Sequence, residues 1–407
     1  MDVVVHDFSG HPFQADLARR LAERGHRVVH ISCPEYVSGK GQLQKQPGDP
    51  DTLTFDQISL GRPFDKYSPR DRIRWELEYG RAATERVRDW PGVVIMCNVP
   101  LVATAVFVRK ARRLDIPWVF WHQDVYSAGI ADELSRRLPA PAARPAAFAF
   151  DRLEAWCARH AGHVVAIGEA FTKVYPRWNV DPKRVSVIPN WAPLDEVVPT
   201  DRNNSQASTI FPGSEDDDLR LLYAGTLGRK HNPKLLVDLL ESARAAGIPA
   251  VLSVVSQGEA ADDLRQIAAE RPDLPLTVLP FQPAEMFSET LGSADVLIGL
   301  LEPAATEFSI PSKVLTYMCA GRPLIGLMPA TNPAAADIAD CGGFVADPTP
   351  DGVAQASAWL TKIAGDSGRR AEIGRATRSI AEERFDPDVI TGRFESVLAS
   401  LSPEQTR

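Results

Sequence analysis

The sequence predicts two consecutive α/β domains, each built on a parallel sheet, and three observations carry that expectation. The chain has 407 residues, more than one ordinary core serves and suited to two domains of about 200 residues each. Short apolar runs alternate with helical patterns along most of its length, the βαβ signature of parallel pairing. Within the stretch 296–323, the apolar run Val296 to Leu301 passes through a polar loop into a helix that begins near Pro311-Ser312 and stops at Gly321.

The first half opens with a strand, Asp2 to Asp7, a loop, Phe8 to Phe13, and a helix from Gln14 to Arg24 that Gly25 ends. A strand from Arg27 to Cys33 completes the first βαβ unit. Residues 34–69 are irregular apart from a possible strand at 52–60, and 70–90 read as a mixed-charge helix with the pattern of a solvated face. Strand 92–98, helix 101–114 and strand 117–124 continue the alternation. The Pro- and Ala-rich segment 140–149 reads as a loop, followed by helix 150–160, strand 163–168, helix 169–178 and strand 184–189. Residues 202–218 have the polar, Gly- and Pro-bearing composition of a linker, and the domain boundary is placed at its start, with 1–200 in the first domain and 201–385 in the second.

In the second half, strands at 219–225, 250–255, 276–281, 296–301 and 323–327 alternate with helices at 234–246, 284–291, 312–321 and 334–339. Gly342 and Gly343 precede a short strand. Helices over 351–364 and 369–385 and an amphipathic helix from 388 to 401 finish the chain.

Composition narrows the function. Apolar content of 44% with 24% charged residues is that of a globular protein, and a net charge of −8 argues against general nucleic-acid binding, which draws on Lys and Arg. The five cysteines are widely spaced without a Cys-x-x-Cys pair, so neither a zinc site nor a disulfide framework is expected and each is read as a core filler. No run of about 18 apolar residues is present for a membrane span, and the N-terminus lacks the pattern of a signal peptide. The expected location is the cytoplasm, either free or against the inner face of the cell membrane.

In an open parallel sheet, ligands gather beyond the carboxyl ends of the strands. At that edge of the second domain, a helix N-terminus offers free N–H groups, and Ser312 and Lys313 add a hydroxyl and a cation. This suits a diphosphate; the alternative is an N-cap serine with a solvated lysine. Gly225, at the end of its strand, and Gly228, in the turn Thr226 to Pro233, allow close backbone approach, and Arg229 or Lys230 supplies charge. Gln257 and Gly258 form a small polar turn suited to a ribose, and Phe281 with Gln282 an apolar shelf suited to a flat base, unless that ring belongs to the core. In the first domain, His122 and Asp124 close a strand. Either residue there could orient or deprotonate an acceptor hydroxyl, the alternative being a structural histidine. The first loop lacks G-x-G-x-x-G, which removes a nicotinamide-dinucleotide site of the usual kind.

Several of these stretches together resemble the family-4 retaining glycosyltransferases of GT-B fold. They are 164–170 (VVAIGEA), Val187-Ile188-Pro189-Asn190-Trp191, 223–230 (YAGTLGRK), Pro311-Ser312-Lys313 and Ala320-Gly321-Arg322-Pro323. The Ile-Pro-Asn-Trp and Pro-Ser-Lys forms are similar to the branch that builds bacterial surface polysaccharides, including colanic-acid and fucosamine transferases. The resemblance implies two Rossmann-like domains facing a cleft, the donor held by the second, and a final helix, 386–407, crossing back to the first. Two departures stand out. Where many members carry Glu-x₇-Glu, this chain has Phe308 and Thr316, which leaves Thr316, Glu302 and Glu307 as candidates near the donor ribose. Ser9-Gly10-His11 replaces the usual paired-glycine loop, placing Gly10 and His11 on the acceptor side.

The implied activity is transfer of a sugar with retention from a UDP- or GDP-linked donor to a glycan, lipid-linked or small-molecule hydroxyl, with no cofactor. Lys230, Ser312, Lys313 and the helix N-terminus would balance the leaving diphosphate, so no metal is required. A glycosidase would need two opposed carboxylates, and no convincing pair is present. Two alternatives remain open at this level: a non-hydrolysing nucleotide-sugar epimerase, and a silent sugar-nucleotide-binding partner of another transferase.

Overall fold

The computed structural model describes residues 1–36, 40–64, 68–228, 231–301, 308 and 312–401. The chain divides into two compact units, Met1–Asn190 together with the segment from Asp388 onward, and Trp191–Pro387.

The first unit holds, in chain order, β1 (Asp2–Asp7), α1 (Pro12–Glu23), β2 (Arg27–Ser32), β3 (Leu53–Gln57), α2 (Pro69–Arg86), β4 (Val93–Cys97) and α3 (Leu101–Leu114). Then come β5 (Trp118–His122), α4 (Tyr126–Arg137), α5 (Ala140–His160), β6 (His163–Ala166) and β7 (Val185–Val187). All strands are parallel, in the order β3-β2-β1-β4-β5-β6-β7. Residues of β4 and β5 are buried throughout, as expected of central strands covered on both faces. The order reverses between β1 and β4, which opens a switch point at their carboxyl ends.

The second unit holds α6 (Ala207–Ile210), β8 (Leu219–Ala224), α7 (Lys234–Ala245), β9 (Ala250–Val255), α8 (Glu259–Glu270), β10 (Leu276–Leu279) and α9 (Phe287–Gly292). It continues with β11 (Val296–Leu300), α10 (Ser312–Cys319), β12 (Leu324–Leu327), α11 (Pro333–Asp340), β13 (Phe344–Ala346), α12 (Pro350–Ile363) and α13 (Ser367–Arg384). Its sheet is parallel in the order β10-β9-β8-β11-β12-β13, with the switch point between β8 and β11. Apolar side chains fill both faces of this sheet, with Leu221, Tyr223 and Ile298 in one core and Leu222, Leu297 and Met318 in the other.

The last helix, α14 (Pro387–Leu401), packs on the first unit. Phe394 lies 4.7 Å from the Trp121 ring, and Glu395 accepts from Arg24 at 2.6 Å and lies 2.7 Å from His26.

The structure differs from the sequence expectation in several places. Residues 140–149 are the start of α5 and not a loop. Alanine and arginine favour a helix, Pro141 sits in the first turn, where an N–H has no partner to lose, and Pro145 removes only one helical bond. Residues 169–173 form a 3₁₀ turn in place of a long helix, and α4 and α8 were not anticipated. Strand β5 stops at His122, so Asp124 lies beyond the strand and does not share its alternation of faces with His122. The division between units falls at Asn190 and Trp191, before the segment read as a linker. That segment is packed: Arg202 grips Asp295 at 3.0 and 3.1 Å, and Ile210 and Phe211 join a core with Leu222 and Leu297.

Candidate functional site

In the second unit, the switch point lies between β8 and β11, where the turn after β8 meets the first turn of α10. Lys313, in that first turn, extends to the end of β8. Its ammonium donates to the Tyr223 hydroxyl and, at 3.0 Å, to the Thr226 carbonyl, and it sits 4.1 Å from the centre of the Tyr223 ring. The Tyr223 hydroxyl in turn donates to the Thr226 carbonyl at 2.7 Å. Burial pushes the Lys313 pKa down to about 8, and no described carboxylate pairs with it.

Gly225 makes this approach possible. Its φ of +135° is one that side-chain-bearing residues avoid, and a Cβ there would stand 3.5 Å from both Lys313 Cε and Nζ. Tyr317, one turn further along α10, ties the helix to the same strand: its hydroxyl accepts from Ala224 N–H at 2.8 Å and donates to the Ala224 carbonyl at 2.7 Å. The end of β8 and the start of α10 are thus held by two tyrosines and a lysine.

Ser312 is exposed at the first described residue of α10. Thr316 is half-buried and donates to the Ser312 carbonyl at 3.4 Å. Thr226 is exposed, and Gly228 donates its N–H to His231 Nδ1 at 3.2 Å. Lys230, Arg229, Glu302, Glu307 and Pro311 lie outside the described residues. At the neighbouring ends of β9 and β10, Gln257 and Gly258 are exposed, Gly258 at φ +94°, and Phe281 keeps 46% of its surface in solvent. Gln282 folds back on the Pro280 carbonyl at 2.9 Å. Phe281 therefore belongs to the surface and not to the core.

The carboxyl edge of the first unit's sheet carries a second polar group of residues. Asp7 ends β1 fully buried, accepting from the N–H groups of Ser9 and His11 and from Asn98 Nδ2 at 2.8 Å. Burial raises its pKa to about 6, against the pull of the hydrogen bonds from Asn98 and the two amides and of His11. Gly10, at φ +71°, is buried, with Leu43 Cδ1 2.7 Å from where its Cβ would be. It shapes the loop, whereas His11 is half-exposed. Asp124 is solvent-exposed; desolvation by its surroundings raises its pKa, while His122 and His11 lower it.

His122 is placed differently from expectation. It is wholly buried, its Nε2 3.1 Å from Glu154 Oε1 and its Nδ1 3.0 Å from the Tyr175 hydroxyl, with the Phe120 ring stacked at 4.7 Å. Glu154 accepts, so Nε2 carries the proton and Nδ1 receives the tyrosine hydroxyl. Both nitrogens are thus engaged, which is why direct proton exchange with an acceptor does not fit His122. Glu154 also accepts from the N–H groups of Tyr126 and Ser127, at 2.9 and 2.7 Å, and so anchors the start of α4. Next to them Gln123 and Asn190 exchange amide hydrogen bonds at 3.0 and 3.2 Å, which gives the Ile-Pro-Asn-Trp motif its place.

Sequence reasoning missed Tyr223, Tyr317, Asp7 and Glu154. Asp7 and Glu154 had no distinctive local signal, since Asp7 follows His6 at a strand end and Glu154 sits among Asp151, Arg152 and Arg159. The tyrosines likewise had none, because a Tyr in an apolar strand or helix reads as core.

Comparison with known proteins bears on the whole. Residues 11–191 match the model of a glycosyl transferase 4-like domain. No curated protein matches the chain. Among solved structures, sucrose-phosphate synthase from Thermosynechococcus elongatus is similar with a TM-score of 0.70 at 14% identity, covering 98% of this chain and 99% of that one. Anabaena HepE in complex with UDP and glucose gives 0.65 at 15%, covering 98% and 100%. WaaG, a glycosyltransferase involved in lipopolysaccharide biosynthesis, gives 0.59 at 17%, covering 98% and 99%. At these identities the likeness is one of fold, and the fold is GT-B, two Rossmann-like parallel-sheet units. The domain match and the fold together support a glycosyltransferase of GT-B type.

Proposed function

We propose that the protein transfers a sugar, with retention, from a nucleoside diphosphate sugar to a hydroxyl of a glycan or lipid-linked acceptor. The observation that carries this reading is Lys313, a half-buried ammonium with no described carboxylate partner, held at the switch point of the second unit in the first turn of α10, the positive end of that helix. UDP is the nucleotide to test first and GDP the second, since UDP occupies HepE, whose fold is similar.

As the bond between the sugar's anomeric carbon and the diphosphate lengthens, negative charge gathers on the departing phosphate. Lys313, the Ser312 hydroxyl and the first N–H groups of α10 receive that charge, so metal assistance is not needed in this reading. The acceptor oxygen bonds to the anomeric carbon on the face the phosphate leaves, and its proton passes to a phosphate oxygen. The products are a glycoside of unchanged anomeric configuration and a nucleoside diphosphate. The Thr226–Gly228 turn holds the diphosphate from the β8 side, and the exposed Phe281 ring is a platform for the base. In the first unit, Asp124 and His11 orient the acceptor, while the buried His122–Glu154–Tyr175 group anchors the start of α4 just after Asp124. The Ile188-Pro189-Asn190-Trp191 and Pro311-Ser312-Lys313 motifs favour a growing surface polysaccharide as acceptor.

The test is a thermal-shift screen over nucleotides and nucleotide sugars, followed by acceptor-dependent release of nucleoside diphosphate in the presence of a chelator. Stabilisation by a nucleotide sugar, and a product with the donor's anomeric configuration, is the expected result. Conversion of UDP-N-acetylglucosamine into a different sugar without acceptor would replace the reading with that of an epimerase. Nucleotide binding without turnover on any acceptor would leave a silent binding partner.

A further inference from the structure

We propose that the hairpin formed by α4 and the first half of α5 docks on an anionic lipid bilayer. The inference stands on this hairpin's own surface and does not depend on the donor-site reading.

Ser127 is the only buried residue of α4, and Ala143 the only one in α5 before Glu154. Such exposure is unusual for a helix pair carrying large apolar groups, yet Phe148 keeps 66% and Leu138 41% of their surface in solvent. Arg144, Phe148 and Arg152 follow one another at four-residue spacing, which sets them in one stripe along α5, and all three are exposed. Pro141 and Pro145 are exposed around the same stripe. Neither Arg144 nor Arg152 has a carboxylate partner among the described residues. The hairpin's acids lie off this stripe's two arginines: Glu133 pairs with Arg136 and Arg137 on α4, and Asp151 with Arg177, which leaves Arg144 and Arg152 as the cations free to meet an anionic surface.

A ring flanked one turn away on each side by a guanidinium matches the headgroup zone of a bilayer, where the ring enters the acyl boundary and the cations meet phosphates. No helix described is long and apolar enough to cross a membrane, so the hairpin would lie on the surface. A partner nucleic acid would call for a denser set of cations than two unpaired arginines on this stripe provide.

The experiment is co-sedimentation of the full chain with vesicles of phosphatidylcholine alone and with about one-third phosphatidylglycerol. Phe148→Ser, Arg144→Glu with Arg152→Glu, and wild type are compared. Wild type should sediment with the anionic vesicles only, lose most of that binding at high salt, and each variant should bind at least about tenfold more weakly. Nucleotide-induced thermal stabilisation, measured in parallel, should be the same in all three, which confirms folding and separates this result from any failure at the donor site. Sedimentation with neither vesicle, equal sedimentation with both, or unchanged binding by the variants would overturn the proposal. So would a wild-type dimer that Phe148→Ser converts to monomer by light scattering, or retention of RNA that the arginine variants lose.

Discussion

Replacing Lys313 with methionine separates a functional lysine from a structural one, because the two roles predict opposite signs for stability. Burial lowers the Lys313 pKa from 10.5 to about 8, a desolvation cost of about 3 kcal/mol for the charged form. Its hydrogen bonds to the Tyr223 hydroxyl and the Thr226 carbonyl return roughly 1 kcal/mol each. The net effect on the ligand-free protein is therefore near zero or unfavourable by about 1 kcal/mol, and methionine keeps the contact with the Tyr223 ring while removing the charge. The unliganded melting temperature should stay level or rise by about 2–4 °C. Nucleotide binding should move the other way, since a charge-assisted contact with phosphate contributes about 1.5–3 kcal/mol, or about 10- to 150-fold in affinity. A bound diphosphate favours the protonated amine, so in wild type kcat/KM for the donor should fall as pH rises through about 8, and the variant should lack that limb. Differential scanning fluorimetry with and without UDP, together with a pH series, reads all three quantities. A variant that melts lower than wild type but binds UDP as tightly would refute the assignment and leave Lys313 a strut between β8 and α10.

Three further predictions test other parts of the site and fold. Gly225→Val places a branched side chain at a φ of +135° against the Lys313 amine, and should abolish the UDP-induced thermal shift at a stability cost of about 1–3 kcal/mol. Asp124→Asn should lower turnover at least about tenfold with donor affinity preserved, whereas Glu154→Ala, which strips partners from His122 and from two N–H groups of α4, should cost about 3 kcal/mol of stability by chemical denaturation. Acid sensitivity comes next: burial holds the His30 pKa down at about 3, so stability is full above about 6.5 and is lost as pH falls from there, because the unfolded chain takes up the proton first. Between pH 7 and 5 that is about 2 kcal/mol, and His30→Leu should shrink the difference in melting temperature between those conditions accordingly.

Most of the architecture was legible because parallel strands covered on both faces are continuous apolar runs, and such runs are hard to mistake. Most of the described strands fall where Val, Ile and Leu cluster, and the edge strand β3 (LTFDQ) lies inside the stretch 52–60 that reads as extended. The reading failed where proline was taken as a stop signal by itself. In α5 the prolines sit at exposed positions of an alanine-rich first half, and the tertiary anchor that fixes the helix, Glu154, is a single acid whose partners are distant in sequence. The boundary at 190 was missed for a similar reason. A polar stretch becomes packed structure when one arginine, Arg202, finds a buried aspartate 93 residues away, and nothing local announces that pairing.

At the site, the sequence singled out Gly225 and Lys313, each of which carries a local chemical signal, and the fold brings the two side by side. It could not order His122 and Asp124, because a histidine at the end of a strand looks the same whether its ring faces solvent or core. The distinction depends on Tyr175, Glu154 and Phe120, contributed by three other positions in the fold. The same reasoning gives Tyr223 and Tyr317 a shared role. Each spends its hydroxyl on the carbonyl edge of the β8 turn, Tyr317 on Ala224 and Tyr223 on Thr226, so the turn that would face a diphosphate is fixed before any ligand arrives. Preorganisation of this kind lowers the ordering cost of binding. It follows that Tyr317→Phe, which leaves the Ala224 amide and carbonyl without their partner, should weaken UDP binding by about 1–2 kcal/mol although the side chain cannot touch the nucleotide. Calorimetric titration that found the affinity unchanged would mean the β8 turn holds its shape without the tyrosine, and Lys313 would then be left as the main determinant of where the phosphates settle.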